Sequence, residues 1–373
     1  MKKSGLVPYR LFSFIKNKNN NLRKALIPPC GVLGVLRAIF AAMVICIAGT
    51  GWVYGSSDII NLRMQSHSPP EQMHRSYDKF VQSVADMSGG KIKITLYPVG
   101  ALVPMKEILG SVGNRVVDMA SVPEGFWYKN VPVSVIAQGL PFAFRNSNEA
   151  HYFMYYKGFV DLLRKGYETQ NIYVIPMESY NTGLMTKKPI ATAEDLKGMK
   201  LRAFGTMQKW LTNMGASTAS ISGAELYTSL ATGVVDGAHW GDAFPMYEMK
   251  FQEVLKNYMV PEPIIGSWNS LWVNMDVWKK LTKEQQAIIE SAALSANGFA
   301  NFADTRVRGE IALKEMTTKW GVKANTVPEA EQLKMRKAAM KVWDEIAADK
   351  DPLCKEAIDM LYKFLDEVDQ VQK

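Results

Sequence analysis

The sequence predicts an α/β protein of two lobes that face one another across a cleft. Three observations predict it. The chain has 373 residues, enough for two domains of the usual 100 to 200 residues each, both able to bury a core. Two stretches share one β-α-β-α-β layout. No low-complexity tract or Gly/Ser linker separates them, so the crossings between lobes read as short, structured hinges.

The first copy opens with a strand "INLRMQS" from Ile60, a loop "HSPPEQ", an amphipathic helix "MHRSYDKFVQSVADMS", a stop "GG" and an alternating strand "KIKITLYP". The second opens with "MKLRAF", a loop "GT", a helix "MQKWLTNMG" and a strand "STASIS". Each continues alike: "EILGSVGNRVVDMASV" and "ELYTSLATGVVDGAHW" both place a Glu, an apolar helix and a Val-Asp pair in that order. Glu107 to Asp118 and Glu225 to Asp236 both span eleven positions. In open α/β sheets ligands sit beyond the carboxyl ends of the strands, so two such lobes define the cleft. Residues 181–200 read as a crossover with a capped helix "TAEDLKGM" begun by Thr192. Long helical patterns follow from Thr282 through Thr317 and from Glu329 to Asp349, then a terminal amphipathic segment "PLCKEAIDMLYKFLDEVDQV".

The net charge of +8 invites a nucleic-acid or membrane-surface partner until the chain is divided at Gly55. Residues 1–55 hold Lys2, Lys3, Arg10, Lys16, Lys18, Arg23, Lys24 and Arg37 and no acid, which leaves 36 basic against 36 acidic residues beyond. The body is neutral, and a nucleic-acid footprint is absent. The leader reads as an export signal: a basic start, an apolar "AIFAAMVICIAGTGWVYG", then Gly55, Ser56 and Ser57 at a cleavage point. Only about 18 residues separate Arg37 from Ser56, short of the roughly 20 a membrane span needs, which favours cleavage over anchoring; the long basic start keeps anchoring open. Ile45 before Cys46 is too large for a lipidation site, and Cys30 follows two prolines. Cys354 is then the one cysteine of the exported part, so no intrachain disulfide is expected there.

G-x-S-x-G, H-E-x-x-H, C-x-x-C and G-x-x-x-x-G-K are all missing. No two of the four histidines stand four apart. His67 follows the first strand and faces either the cleft or solvent; His74 and His151 have helical surroundings and are expected at the surface. Arg202 closes the strand "KLRAF", where a planar guanidinium can take a carboxylate bidentately; an ion pair with a surface acid is the alternative. Trp240 follows the second Val-Asp pair and either closes over a ligand or belongs to the core. His239 should then point to the opposite strand face, leaving one of the two in the cleft.

"INLRMQSHSPPEQ", "MSGGKIKITLYPVGAL", "GLPFAFRN", "KKPIATAEDLKGMKLRAF" and "AELYTSLATGVVDG" together closely resemble the extracytoplasmic solute receptors of tripartite ATP-independent periplasmic (TRAP) transporters, DctP type. The likeness runs through essentially everything after residue 58. It implies a two-lobed periplasmic binding protein fold, each lobe a mixed sheet flanked by helices, with a long helix spanning both lobes. The implied division is a signal peptide over 1–55, lobe I from 58–179 plus 268–306, and lobe II from 180–267 plus 307–373. It further implies a periplasmic receptor that shuts one organic acid in its cleft and hands it to the membrane permease subunits, as a monomer or a homodimer.

Arg202 falls on the family's carboxylate-binding arginine. A second arginine found in many members, the sialic-acid receptors among them, is replaced here by Asn181 and Thr182, which puts a second anionic group on the ligand in doubt. The 2-oxo acid receptors look nearer, with an amide at Asn181 and a Trp at Trp240. Their metal-holding glutamate is His239 here, and imidazole in place of a hard oxygen ligand disfavours sodium or calcium; no metal and no cofactor are expected, although Asp242 could supply an oxygen. The expected pocket is Arg202, Asn181, Trp240, His239, Phe204 and Asp242 from one lobe, closed over by Phe126, Trp127 and His67 from the other, with an aromatic supply that suits an apolar or aromatic part of the ligand. The alternatives are a periplasmic enzyme with His239 as general base, or a sensor for a signalling partner.

Overall fold

A computed structural model describes residues 59–68, 70, 73, 77–299 and 306–368. The expected signal peptide and its cleavage point lie outside the described residues, as does His74. β1 (Ile60–Ser66) turns Leu62 and Met64 inward by strand alternation. α1 (Tyr77–Met87) lays Tyr77, Phe80 and Val84 on it at helical spacing. The helix ends before Gly89 and Gly90, whose φ values of 58° and 77° a side chain would resist. β2 (Ile92–Tyr97) then runs parallel to β1, and α2 (Ile108–Gly113) leads to β3 (Met119–Pro123), parallel to β1 on its other side. α3 (Phe159–Glu168) precedes β4 (Ile172–Thr186), a strand of fifteen residues.

The second copy repeats this construction: β5 (Lys200–Arg202), α4 (Gly205–Asn213), β6 (Ser217–Ala219), α5 (Gly223–Ala231) and β7 (Gly237–Gly241), with β6 and β7 both parallel to β5. The correspondence reaches single hydrogen bonds. An Asp118 carboxylate oxygen accepts from Arg63 N–H at 3.0 Å, and Asp236 accepts from Lys200 N–H at 2.9 Å. Ser111 O takes the N–H of Val116 and Val117, and Ser229 O those of Val234 and Val235. Gly237 has to be glycine because an added Cβ would stand 2.5 Å from Met185 O on β4.

After β7 come α6 (Ala243–Glu248), β8 (Asn257–Val260), β9 (Ile264–Asn274), α7 (Lys283–Phe299), α8 (Gly309–Lys319), β10 (Lys323–Thr326), α9 (Glu329–Ala347) and α10 (Pro352–Glu367). One mixed sheet in the order β2-β1-β3-β9-β4-β7-β5-β6 joins the two copies, with β8 added to β4 and β10 to β8. β3–β9, β9–β4 and β4–β7 are antiparallel. The parallel triplets therefore flank two long central strands. Every residue of β9 is buried, as expected for a strand covered on both faces.

Three apolar clusters hold this together. Leu62, Phe80 and Ile92 pack with Ile289, Ala292 and Ala293 of α7. Leu226, Leu230 and Met246 pack with Ala312 and Met316 of α8. The largest joins α3, α4, α9 and α10 around Trp210, Trp272 and Trp343. Trp210 is wholly buried and donates Nε1–H to Met335 O at 3.0 Å; truncating such an indole costs about 3–5 kcal/mol.

Several expectations need correction. Residues 181–186, read as the start of a crossover, are the end of β4, and "TAEDLKGM" makes only a 3-10 turn, Ala193–Leu196, with Thr192 and Asp195 forming a capping box. The strand expected over "STASIS" stops at Ala219. The pattern from Thr282 to Thr317 is seen as α7 and α8, which pack on different copies; residues 300–305 between them lie outside the description. His151 is not a free surface residue: Nδ1 meets Ser147 O at 2.7 Å, Nε2 lies 3.1 Å from Asn297 Nδ2, and the ring packs on Trp268. Cys354 is buried in α10 as a helix core residue.

Candidate ligand-binding site

A cavity of about 430 Å³ opens where the two copies face each other, and its walls come from equivalent positions. Pro123 ends β3 and Phe126 follows it on one side; Gly241 ends β7 and Phe244 lies in the first turn of α6 on the other, each 118 positions on. β4 and β9 supply Glu178, Tyr180, Asn181, Thr182 and Asn269 between them.

Arg202 is the cation of this cavity among the described residues. It is 6% exposed. Nε donates to Ile221 O at 3.1 Å and Nη1 to His239 O at 2.7 Å. Its guanidinium lies 4.5 Å from the Trp240 ring centroid and 4.9 Å from that of Phe204, a cation between two π faces. No carboxylate among the described residues pairs with it; burial pulls its pKa down to about 10, so it stays charged at neutral pH. Among the described residues it has no acid partner, and a buried cation fixed by two carbonyls and two rings has the chemistry to take an anion. The same register position in the first copy is Gln65, whose Nε2–H goes to Val103 O at 2.9 Å, just as Arg202 serves Ile221.

His239 lies beside it, 4% exposed. Nε2 meets Thr182 Oγ1 at 2.7 Å and Nδ1 has no partner. Burial first, then the Arg202 charge, lowers its pKa to about 3. The ring is therefore neutral and a weak base. Both His239 and Trp240 line the cavity, contrary to the strand-alternation expectation of one. His239 also lines a side chamber of about 30 Å³ with Glu124, Gln138, Thr206 and Ser267.

Asn181, Phe204, Asp242, Phe126 and His67 also stand on the cavity wall. Asn181 gives its amide N–H to Glu262 at 2.9 Å, and Glu262 is also held by Tyr258 Oη at 2.6 Å. Asp242 caps α6, accepting from Phe244 N–H at 2.9 Å. His67 Nδ1 lies 3.1 Å from Tyr77 Oη. Burial lowers its pKa, against the opposing pull of the Glu178 carboxylate. Trp127 does not line the cavity. The turn at Gly125 faces Phe126 outward, 58% exposed, and seats Trp127 on Trp272 with centroids 5.1 Å apart.

Sequence reasoning missed Tyr77, Glu178, Tyr180 and Asn269. The last three sit inside the long central strands, where nothing local separates a wall residue from a core residue. Phe244 was within reach, since it repeats Phe126 at the offset of the two copies. Tyr77 Oη and Asn269 Nδ2 both donate to Glu178 Oε2 at 2.8 Å.

The donor set does not suit a hard metal ion. The His239 carbonyl is already taken by Arg202, its Nε2 by Thr182, and an Asp242 oxygen by the α6 cap. No group of three His, Cys, Asp or Glu stands together among the described residues.

This fold and cavity place the molecule among receptors for small solutes. The chain belongs to bacterial extracellular solute-binding protein family 7, DctP, whose pattern matches residues 64–350. It is 28% identical over 219 residues to a monocarboxylate 2-oxoacid-binding periplasmic protein of Nostoc sp., covering 57% of this chain and 59% of that relative. The alignment thus spans under two thirds of the relative's length. Among solved structures, a TRAP transporter solute-binding protein from Bordetella bronchiseptica, with calcium and picolinate in its bound site, superposes with a TM-score of 0.73 at 24% identity, covering 84% of this chain and 93% of that one. One from Colwellia psychrerythraea with bound calcium and pyruvate gives 0.74 at 22% identity, covering 84% and 96%. These likenesses establish the fold.

Proposed function

We propose that this chain is the periplasmic solute receptor of a TRAP transporter, that it binds one small organic acid through its carboxylate, and that it delivers the acid to the membrane permease. The observation that carries the reading is Arg202: a charged guanidinium, 6% exposed, in a cavity wall, with no carboxylate paired to it among the described residues. Trp240 and Phe204 sandwich it, Asn181 shares its cavity, and the aromatic walls receive the apolar part of the acid.

Export and cleavage near Gly55 bring the receptor to the periplasm. Lobe I, 58–179 plus 268–306, and lobe II, 180–267 plus 307–373, close by hinge motion, a population shift driven by contacts complete only when shut. A receptor is favoured over an enzyme because His239, with its pKa near 3, is far from the poise a general base needs.

Titration calorimetry against a panel of 2-oxo acids, hydroxy acids, aromatic acids and dicarboxylates tests this. Arg202→Ala should weaken the best ligand at least 100-fold, since the truncation strands a buried carboxylate at a cost of roughly 3–5 kcal/mol. A loss under about tenfold, 1.4 kcal/mol, refutes the assignment.

A further inference from the structure

The side chamber adjoins the main cavity, and Pro123, Phe126, Tyr180, Thr182, Phe204 and His239 line both. Two of the six also touch Arg202. Its guanidinium lies 4.9 Å from the Phe204 ring centroid, and its Nη1 donates to His239 O at 2.7 Å. The chamber therefore stands beside the place of the carboxylate. At about 30 Å³ it has room for a single group the size of a water molecule.

Its other polar walls are Glu124, Gln138, Thr206 and Ser267. Thr206 Oγ1 is spent on Gly139 O at 2.7 Å, and Glu124 accepts from Tyr167 Oη at 2.6 Å through Oε2 while its other oxygen is fully buried. The Gln138 amide and the Ser267 hydroxyl are left without a partner among the described residues. The backbone is shaped around Gln138. Gly125 and Gly205, at φ 82° and 61°, stand just before Phe126 and just after Phe204, whose ring centroids are 5.8 Å apart. A Cβ at Gly125 would stand 2.8 Å from Gln138 Oε1, and one at Gly205 would strike the same atom. Glycine on both sides thus makes room for one unspent amide. An amide and a hydroxyl each donate and accept, and a small group that can answer both is another hydroxyl.

We propose that the side chamber is a hydroxyl subsite: the ligand is a hydroxy acid with its hydroxyl on the second or third carbon, and Gln138 with Ser267 reads that hydroxyl. This rests on the reading that Arg202 takes the carboxylate. An acid without the hydroxyl leaves both groups unmet. A methyl ether in its place has no proton to give and is too large for the chamber.

Matched sets test it by calorimetry on the native protein, each enantiomer separately: butanoate with its 2-hydroxy, 3-hydroxy, 2-methoxy and 3-methoxy derivatives, and 3-phenylpropanoate with the same four. In at least one set a hydroxy member should bind at least tenfold tighter than both its parent acid and its methyl ether. Gln138→Leu, which keeps the bulk and removes the amide, should shrink that ratio at least fivefold. If no hydroxy member gains tenfold, or if the ratio survives Gln138→Leu, the inference is overturned while the Arg202 reading stands. Failure of every acid to bind, or binding indifferent to Arg202→Ala, overturns the Arg202 reading itself. Should Gln138→Leu not fold, Ser267→Ala decides in its place, with a loss of at least threefold in the ratio expected and an unchanged ratio overturning the inference.

Discussion

Two buried titratable residues beside the cavity set opposite pH limits on stability. Glu124 is wholly buried, with Tyr167 Oη donating to Oε2 at 2.6 Å and Oε1 unmet. Burial raises its pKa from 4.5 to about 7, with the Tyr167 hydrogen bond pulling the other way. The folded protein keeps a proton there that the unfolded chain has released, so stability falls as pH rises from about 4.5 to about 7. The loss is roughly 3 kcal/mol. Glu124→Gln should raise the melting temperature at pH 8 while changing it little at pH 4.5; matching profiles for the two proteins would exclude this. His239 works in the other direction. With its pKa lowered from 6.5 to about 3, the unfolded chain takes up the proton first, and stability is lost as pH falls from 6.5 toward 3. His239→Gln should flatten that acid limb in pH-dependent thermal melts, and an unchanged limb would show that another group governs it. At this scale Arg202 and Trp240 stood out locally as a charge and a large ring near strand ends, whereas Asn181 was named only through the family resemblance. Glu178 was not legible: its role depends on Tyr77 and Asn269, which are 101 and 91 positions away.

At the scale of elements, the two aspartates that tie each copy together are the instructive residues. Asp236→Ala would remove the acceptor for Lys200 N–H, and Asp118→Ala that for Arg63 N–H. Each should cost about 1–2 kcal/mol in urea unfolding. A loss at one site and none at the other would show that the copies share geometry but not energetics. The Val-Asp spacing made both β-α-β-α-β units readable in advance. β4 was only half readable because Pro176 and Gly183 look like strand breakers. In the fold Pro176 sits where the β4–β9 register shifts before Glu178, so its missing N–H interrupts nothing. "TAEDLKGM" misled for the converse reason: its cap is present, but Gly198, at φ 75°, ends the turn at once.

At the scale of the whole molecule, ligand binding should be visible as linkage. A carboxylate at 100 times its Kd adds about 2.7 kcal/mol to stability, a rise of several degrees in melting temperature for a chain of this size. The same acid should leave Arg202→Ala unmoved in a thermal-shift assay, and an equal rise in both proteins would place the ligand elsewhere. The joining of the two copies through β9 and β4 was not legible, since antiparallel pairing between strands about ninety positions apart leaves no local pattern. The duplicated architecture has a final consequence. Where one copy has Arg202 the other has Gln65, with Nε2 spent on Val103 O and Oε1 on the N–H groups of Leu102 and Val103. Charge is thus carried by one half of the duplication alone, and the counterpart of the guanidinium is a buried neutral amide with its hydrogen bonds already made.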